Sequence, residues 1–239
     1  MKIHDLGWPE GVSLQVAAGR DLLAEQLASQ VADQLRQALA EKGRALLVVS
    51  GGSTPIPFFQ ALSHEDLPWD RVDLTLADER WVAENHPDSN TARVKHDLCA
   101  NRAAAVHWIP LLGEEDLASN SVLGVEARLA SLSWPIDVLV LGMGNDGHTA
   151  SLFPCAEALA QAMWPEQGQR CSRIEPVNAP HARVTLNLPV LLASRHVYLH
   201  VVGDDKLKTL QRALGDLSRP LEMPIRSFCR RGLQVYWSP

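Results

Sequence analysis

Asp146 and His148 stand two residues apart in Gly142-Met143-Gly144-Asn145-Asp146-Gly147-His148, a stretch with three glycines in seven residues. A carboxylate beside an imidazole suits general acid–base work. Imidazole, with an ordinary pKa of about 6.5, takes a proton near neutral pH, and the carboxylate orients it and steadies its charged form. Glycines let backbone N–H groups come close to a ligand. Residues 136–141, just ahead, are mostly apolar and read as a strand buried on both faces. Open α/β sheets bind ligands beyond the carboxyl ends of such strands. A plainer reading makes His148 a loop histidine satisfied by a carbonyl; the nearby aspartate and glycines weigh against it. Gly142, Gly144 and Gly147 also spell the dinucleotide fingerprint G-x-G-x-x-G. That motif must open a helix and lead to an acidic residue after the next strand. Here Pro154 interrupts the helix, and Glu166 follows Trp164-Pro165 with no strand before it. The dinucleotide reading is rejected.

Two more clusters could meet a ligand. Ser50-Gly51-Gly52-Ser53-Thr54-Pro55 follows an apolar strand at 45–49 and precedes a short helix at 56–62. Glycines and hydroxyls between strand and helix can form an anion nest, aided by the helix dipole. Without a Walker lysine, the loop suits a phosphate monoester better than a triphosphate. The alternative is an ordinary turn in which Ser53 or Thr54 caps the helix. Asp78-Glu79-Arg80-Trp81 ends the strand expected at 72–77, on the same sheet edge. Charge clusters are often solvated turns, but the neighbouring glycine loop makes this one a candidate for ligand contact.

The elements that must position these groups alternate between strand and helix. Leu23, Leu27, Val31, Leu35 and Leu39 recur every four residues, predicting a helix over 21–42 that Gly43 stops. Helices are also expected near 90–100, 118–132, 188–193 and 203–214. Strands are expected at 106–110, 183–186, 196–202 and 233–237, with a strand or arm within 1–19 and a polar surface loop at 165–173. His196 and His200 read as structural, because nothing near them in sequence completes a site. The expected fold class is α/β: a Rossmann-like three-layer α/β/α sandwich around a mainly parallel sheet, in one domain over residues 1–239.

Composition narrows the partners. The chain has 239 residues, 46% of them hydrophobic and 21% charged, which is ordinary for a globular protein with a sizeable core. Its 22 basic and 28 acidic side chains leave a net charge of −6 with no run of like charge. That argues against nucleic acid or an anionic membrane, so any phosphate must be met by a local site. Cys99, Cys155, Cys171 and Cys229 lie far apart, the pattern of reduced thiols and not of a disulfide framework or a zinc site. No signal-like leader and no apolar run of about eighteen residues is present, and the expectation is a soluble, cytoplasmic protein.

With these residues laid out, the sequence resembles the 6-phosphogluconolactonase family. The resemblance rests on Ser50-Gly51-Gly52-Ser53-Thr54-Pro55, then on Asp78-Glu79-Arg80-Trp81-Val82 and His86-Pro87-Asp88-Ser89-Asn90. It continues through Gly142 to His148-Thr149-Ala150-Ser151-Leu152-Phe153-Pro154, Arg183-Val184-Thr185-Leu186 and Gly203-Asp204-Asp205-Lys206. These pieces fall in order between about residues 20 and 210; Ala83 departs from the proline frequent in the family.

The resemblance implies hydrolysis of 6-phospho-D-glucono-1,5-lactone to 6-phosphogluconate in the oxidative pentose phosphate pathway, with no metal or organic cofactor. The implied partner is a small phosphosugar lactone, and the implied fold is shared with glucosamine-6-phosphate deaminases. His148 would activate water with Asp146 orienting it, and backbone N–H groups of the 142–147 loop, Gly144 included, would meet the oxyanion. Ser50, Gly51, Gly52, Ser53 and Thr54, with Arg183 and Lys206, would hold phosphate; Asp78 and Arg80 would line the sugar end. No serine sits in a G-x-S-x-G elbow, so an acyl-enzyme is not expected.

Two competitors are weighed. The deaminases carry Ile-Ala-Phe-Asn-Glu-Pro after their histidine, with a glutamate that supports ring opening, whereas residues 149–153 here include no ionisable side chain. A phosphosugar-binding module would keep the phosphate groups without the base, and the presence of both Asp146 and His148 speaks for catalysis.

Overall fold

The computed structural model describes residues 3–239. In its first half lie β1 (Ser13–Val16), α1 (Arg20–Lys42), β2 (Ala45–Val49), α2 (Ile56–Ser63), β3 (Val72–Leu76), β4 (Asp78–Arg80), α3 (Asn90–Asp97) and β5 (His107–Trp108). Then come α4 (Glu114–Ser119), α5 (Leu123–Ala130), β6 (Val138–Leu141), α6 (Leu159–Met163) and β7 (Cys171–Ile174). The chain closes with β8 (Arg183–Leu186), α7 (Leu188–Leu192), β9 (His196–Val202), α8 (Asp204–Gly215) and β10 (Leu233–Ser238).

Parallel strands covered by helices on both faces are mostly apolar, and β2, β3 and β6 are buried at every position, Asp73 and Thr75 of β3 included. They lie in a seven-stranded sheet of order β1-β10-β9-β6-β2-β3-β5 in which each pairing is parallel. The architecture is the expected three-layer α/β fold. The α1 stripe of Leu23, Leu27, Val31 and Leu35 is fully buried, packing on β2, β6, β10 and α2. Gly43 ends the helix in the left-handed region (φ 74°), its N–H closing on Leu39 O at 2.9 Å. No helix among the described residues is long and apolar enough to cross a membrane.

The chain runs β2, β3, β5 toward one edge and β6, β9, β10 toward the other. The reversal falls between β2 and β6, where successive loops diverge and leave a crevice at the carboxyl ends. This sets the 50–55 loop beside the 142–148 loop, stitched where Ser50 N–H donates to Val140 O at 2.9 Å.

A second, antiparallel sheet of order β4-β8-β7 leaves this edge through Ala77. Ala77 N–H donates to Val49 O (2.9 Å), while Ala77 O accepts from Leu186 N–H (2.8 Å), so one residue is bonded to both sheets. Two expectations are corrected here. The polar stretch 165–173 is not all loop, because Cys171–Ile174 pairs with β8 and Glu126 accepts N–H bonds from Arg170 and Cys171 at 2.7 Å each. The helix expected over 118–132 is two helices, parted at Asn120, which takes a left-handed conformation (φ 51°) that asparagine tolerates. Asp116 clamps the corner by accepting from Gly113 N–H at 2.7 Å and from Arg128 of α5.

Candidate active site

The 142–148 loop is held from within. Gly144 N–H donates to His148 O (2.9 Å), Gly147 N–H to Gly144 O (3.1 Å) and Thr149 Oγ1 to Gly142 O (2.8 Å). Ile225 N–H reaches Gly147 O at 3.0 Å, and Arg212 and Thr209 of α8 both donate to Asn145 O. On this frame His148 Nδ1 lies 2.6 Å from Asp146 Oδ1, and the same oxygen accepts His148 N–H at 3.1 Å. The imidazole packs against Phe153, with ring centroids 4.3 Å apart. Burial works to raise the Asp146 carboxyl, but the hydrogen bond and charge of His148 outweigh it and hold it below its ordinary value.

Gly144 has a steric reason. A Cβ there would lie 2.2 Å from His148 Cε1 and Nδ1 and 2.7 Å from Asp146 Oδ1, so the pair nests against a bare backbone. Because the N–H groups of Gly144 and Gly147 are engaged inside the loop, these two are not free oxyanion donors. Gly144 supplies room instead.

His148 and Gly144 form one wall of a cavity also lined by Ser50, Gly51, Gly52, Thr54, Asp78, Arg80, Asn90 and Lys206. Nine of the twelve expected site residues thus surround one space. Gly51 is dictated by packing, since a Cβ would fall 2.1 Å from Asn90 Cγ; Gly52 has a φ of 102°, which favours glycine. α2 carries no side-chain cap, so the plain capping role for Ser53 or Thr54 is not the one adopted. Lys206 is no solvated helix-start lysine: half-buried, it donates from Nζ to Asn145 Oδ1 at 2.7 Å. Burial draws its pKa down, opposed by Asp146 and Asp205.

In β4, alternation sends Asp78 and Arg80 to one side and Glu79 to the other. Glu79 is buried, and its carboxylate accepts N–H bonds from Arg80 (2.7 Å), Asn90 (2.9 Å) and Thr91 (2.6 Å), bracing the start of α3. Burial pushes its pKa up against those bonds. Asp78 accepts from Ser151 Oγ, and Arg80 donates to Asp88 O. His181 Nε2 sits 2.9 Å from Asp88 Oδ2, tying the same corner.

Three expected residues lie off the cavity wall: Ser53 is exposed, Asp146 is bonded to His148, and Arg183 is buried with its guanidinium carbon 6.0 Å from the Phe153 ring centroid. Arg183 is opposite Arg80 in the β4–β8 register, an unfavourable like-charge pair unless an anion joins it. Burial first, and then the Arg80 charge, lower its pKa; its Nη1 is buried without a partner. His200, read from the sequence as structural, lines the cavity with Val201, Val202 and Lys206. A sequence gives no contact partner for a strand residue, but its place three residues before Gly203, where β9 ends and α8 begins, was the available signal.

A family model described as glucosamine-6-phosphate isomerases/6-phosphogluconolactonase matches residues 18–237. The chain belongs to this family. A 6-phosphogluconolactonase of Pseudomonas aeruginosa is 45% identical over the full length of both chains. One of Neisseria meningitidis is 45% identical over 84% of this chain and 87% of its own. Among solved structures, a 6-phosphogluconolactonase from Shewanella baltica superposes with a TM-score of 0.92 at 39% identity, covering 98% of this chain and all of that one. A monomeric glucosamine-6-phosphate deaminase has the same fold, with a TM-score of 0.76 at 18% identity over 95% of this chain and 97% of that one.

Proposed function

We infer that this chain hydrolyses 6-phospho-D-glucono-1,5-lactone, with His148 drawing the proton from the attacking water. The observation that carries the catalytic reading is the 2.6 Å contact between His148 Nδ1 and Asp146 at the wall of the cavity. An ionised carboxylate only accepts, so Nδ1 carries the hydrogen and Nε2 keeps its lone pair. As water oxygen bonds to the lactone carbonyl carbon, Nε2 takes its proton, and Asp146 stabilises the imidazolium. The imidazolium returns that proton to the ring oxygen as the C–O bond breaks, and the carboxylic acid so formed ionises to solvent. The phosphate is held by the 50–54 loop with Lys206 and Arg183, through charge-assisted bonds; Asp78 and Arg80 meet the sugar.

The deaminase reaction needs a histidine supported by its own glutamate. Here the ring leans on Phe153, and no ionisable side chain stands between 149 and 153. The test is hydrolysis of freshly made 6-phosphogluconolactone, timed against its spontaneous rate, beside ammonia release from glucosamine 6-phosphate. Enzyme-dependent lactone loss with no ammonia is expected; steady ammonia would move the assignment to the other branch of the family.

A further inference from the structure

His200 is 4% exposed, yet neither ring nitrogen has a hydrogen-bond partner. A buried imidazole with two idle nitrogens destabilises the free protein, since both have lost water and gained nothing. Such a group calls for a partner from outside the chain. Its location says which. Val49, Val140 and Tyr198 pair in register across β2, β6 and β9. Two residues further along each strand come Gly51, Gly142 and His200, so the imidazole belongs to the row that carries both glycine loops. It packs edge-on to Phe58 in the first turn of α2, the helix that follows the 50–55 loop, with ring centroids 6.1 Å apart. Ser50 Oγ, on that loop and on the same cavity, is also buried and unpartnered.

We propose that His200 is a substrate-binding residue whose imidazole, with the Ser50 hydroxyl, hydrogen-bonds the phosphoryl group held by the 50–54 loop. This rests on the lactonase reading for the substrate's identity, but not for the anion. Burial, with some help from the Arg20 charge, pulls the His200 pKa down to about 4, so the ring is neutral at neutral pH and offers one N–H donor and one acceptor. A neutral donor beside cationic Lys206 adds a directional bond without adding like-charge repulsion. The ring N–H and the Ser50 O–H are each a single donor, and phosphoryl oxygens, which only accept, can take both.

A structural histidine and a binding histidine respond oppositely to His200→Leu, which keeps the volume and removes both nitrogens. The binding role predicts a variant that melts higher by about 2–4 °C, the shift one relieved buried polar group gives in a chain of this size. It also predicts KM for 6-phosphogluconolactone raised about tenfold and stabilisation by inorganic phosphate weakened to match. His200→Gln, which keeps a donor, should recover most of that loss. A leucine variant that melts lower, fails to fold, or binds phosphate as the parent does would overturn the proposal. If the parent hydrolyses no lactone but phosphate stabilisation still depends on His200, the lactonase reading fails and the anion role stands.

Discussion

In the 142–148 loop the groups set for chemistry are already partnered: His148 with Asp146, Gly144 N–H with His148 O, Asn145 with Lys206, Thr209 and Arg212. On the side of the 50–55 loop and the second sheet, Ser50 Oγ, both nitrogens of His200 and Arg183 Nη1 are buried with none. The idle groups all fall on this second side, although Asp78, Arg80 and Lys206 around the same cavity do have partners. A general base must be aimed before the substrate arrives, so its geometry is fixed by internal bonds. Groups that recognise a ligand do better left open, because any internal partner would have to be displaced; the result is lower stability in the free protein.

The hardest test of the wired half is removal of its base. His148→Ala should lower kcat by about 10²–10⁴-fold, the usual worth of a positioned general base, with little change in KM. Near-full turnover in a folded variant would mean that the loop only shapes the cavity. Gly144→Ala asks whether the aim itself matters. Its methyl would enter the space of the His148 ring and the Asp146 carboxylate, with contacts as short as 2.2 Å. The ring must shift by about 1 Å, enough to lower kcat by about 10²-fold with both catalytic side chains still present. A crystal structure of the variant with an unmoved imidazole, or kinetics like the parent's, would show the loop to be looser than its bonds suggest.

How much of this was legible in the sequence follows the range of the interactions. The α1 stripe, the apolar runs of β2 and β6 and the glycine loops are local patterns, and they locate the sheet's carboxyl edge and most of the cavity. The division at Asn120 was hidden because Asp116 and Arg128, which fix that corner, are ordinary polar residues in a helical pattern. Strand β7 was hidden because Cys171–Ile174 is short and set by β8 and by Glu126, more than forty residues earlier. Glu79 and His200 show the same limit at the site. Nothing local separates Glu79, which caps α3, from Asp78, which faces the cavity, beyond strand alternation. His200 becomes informative only once the register puts it in a row with Gly51 and Gly142.

The smallest expected effects separate the two cations of the binding half. Arg183 has an unpartnered Nη1 and a like-charged neighbour in Arg80, so meeting an anion relieves it on both counts. Arg183→Ala should therefore weaken binding by up to about 3 kcal/mol, the upper end for a charge-assisted hydrogen bond. Lys206 is different because it already donates to Asn145 Oδ1. A phosphate must take that ammonium from Asn145, or share it, and the net gain is smaller. Lys206→Ala should raise KM by about tenfold, or about 1.5 kcal/mol, and weaken competition by inorganic phosphate to the same degree. Since Lys206 is on the cavity wall and Arg183 is not, proximity alone predicts the reverse order. KM values and phosphate inhibition constants for the two variants decide between these. If Lys206→Ala is the more damaging, idle hydrogen-bonding capacity is a poor guide to where this cavity holds its ligand, and the contrast between its halves loses its meaning.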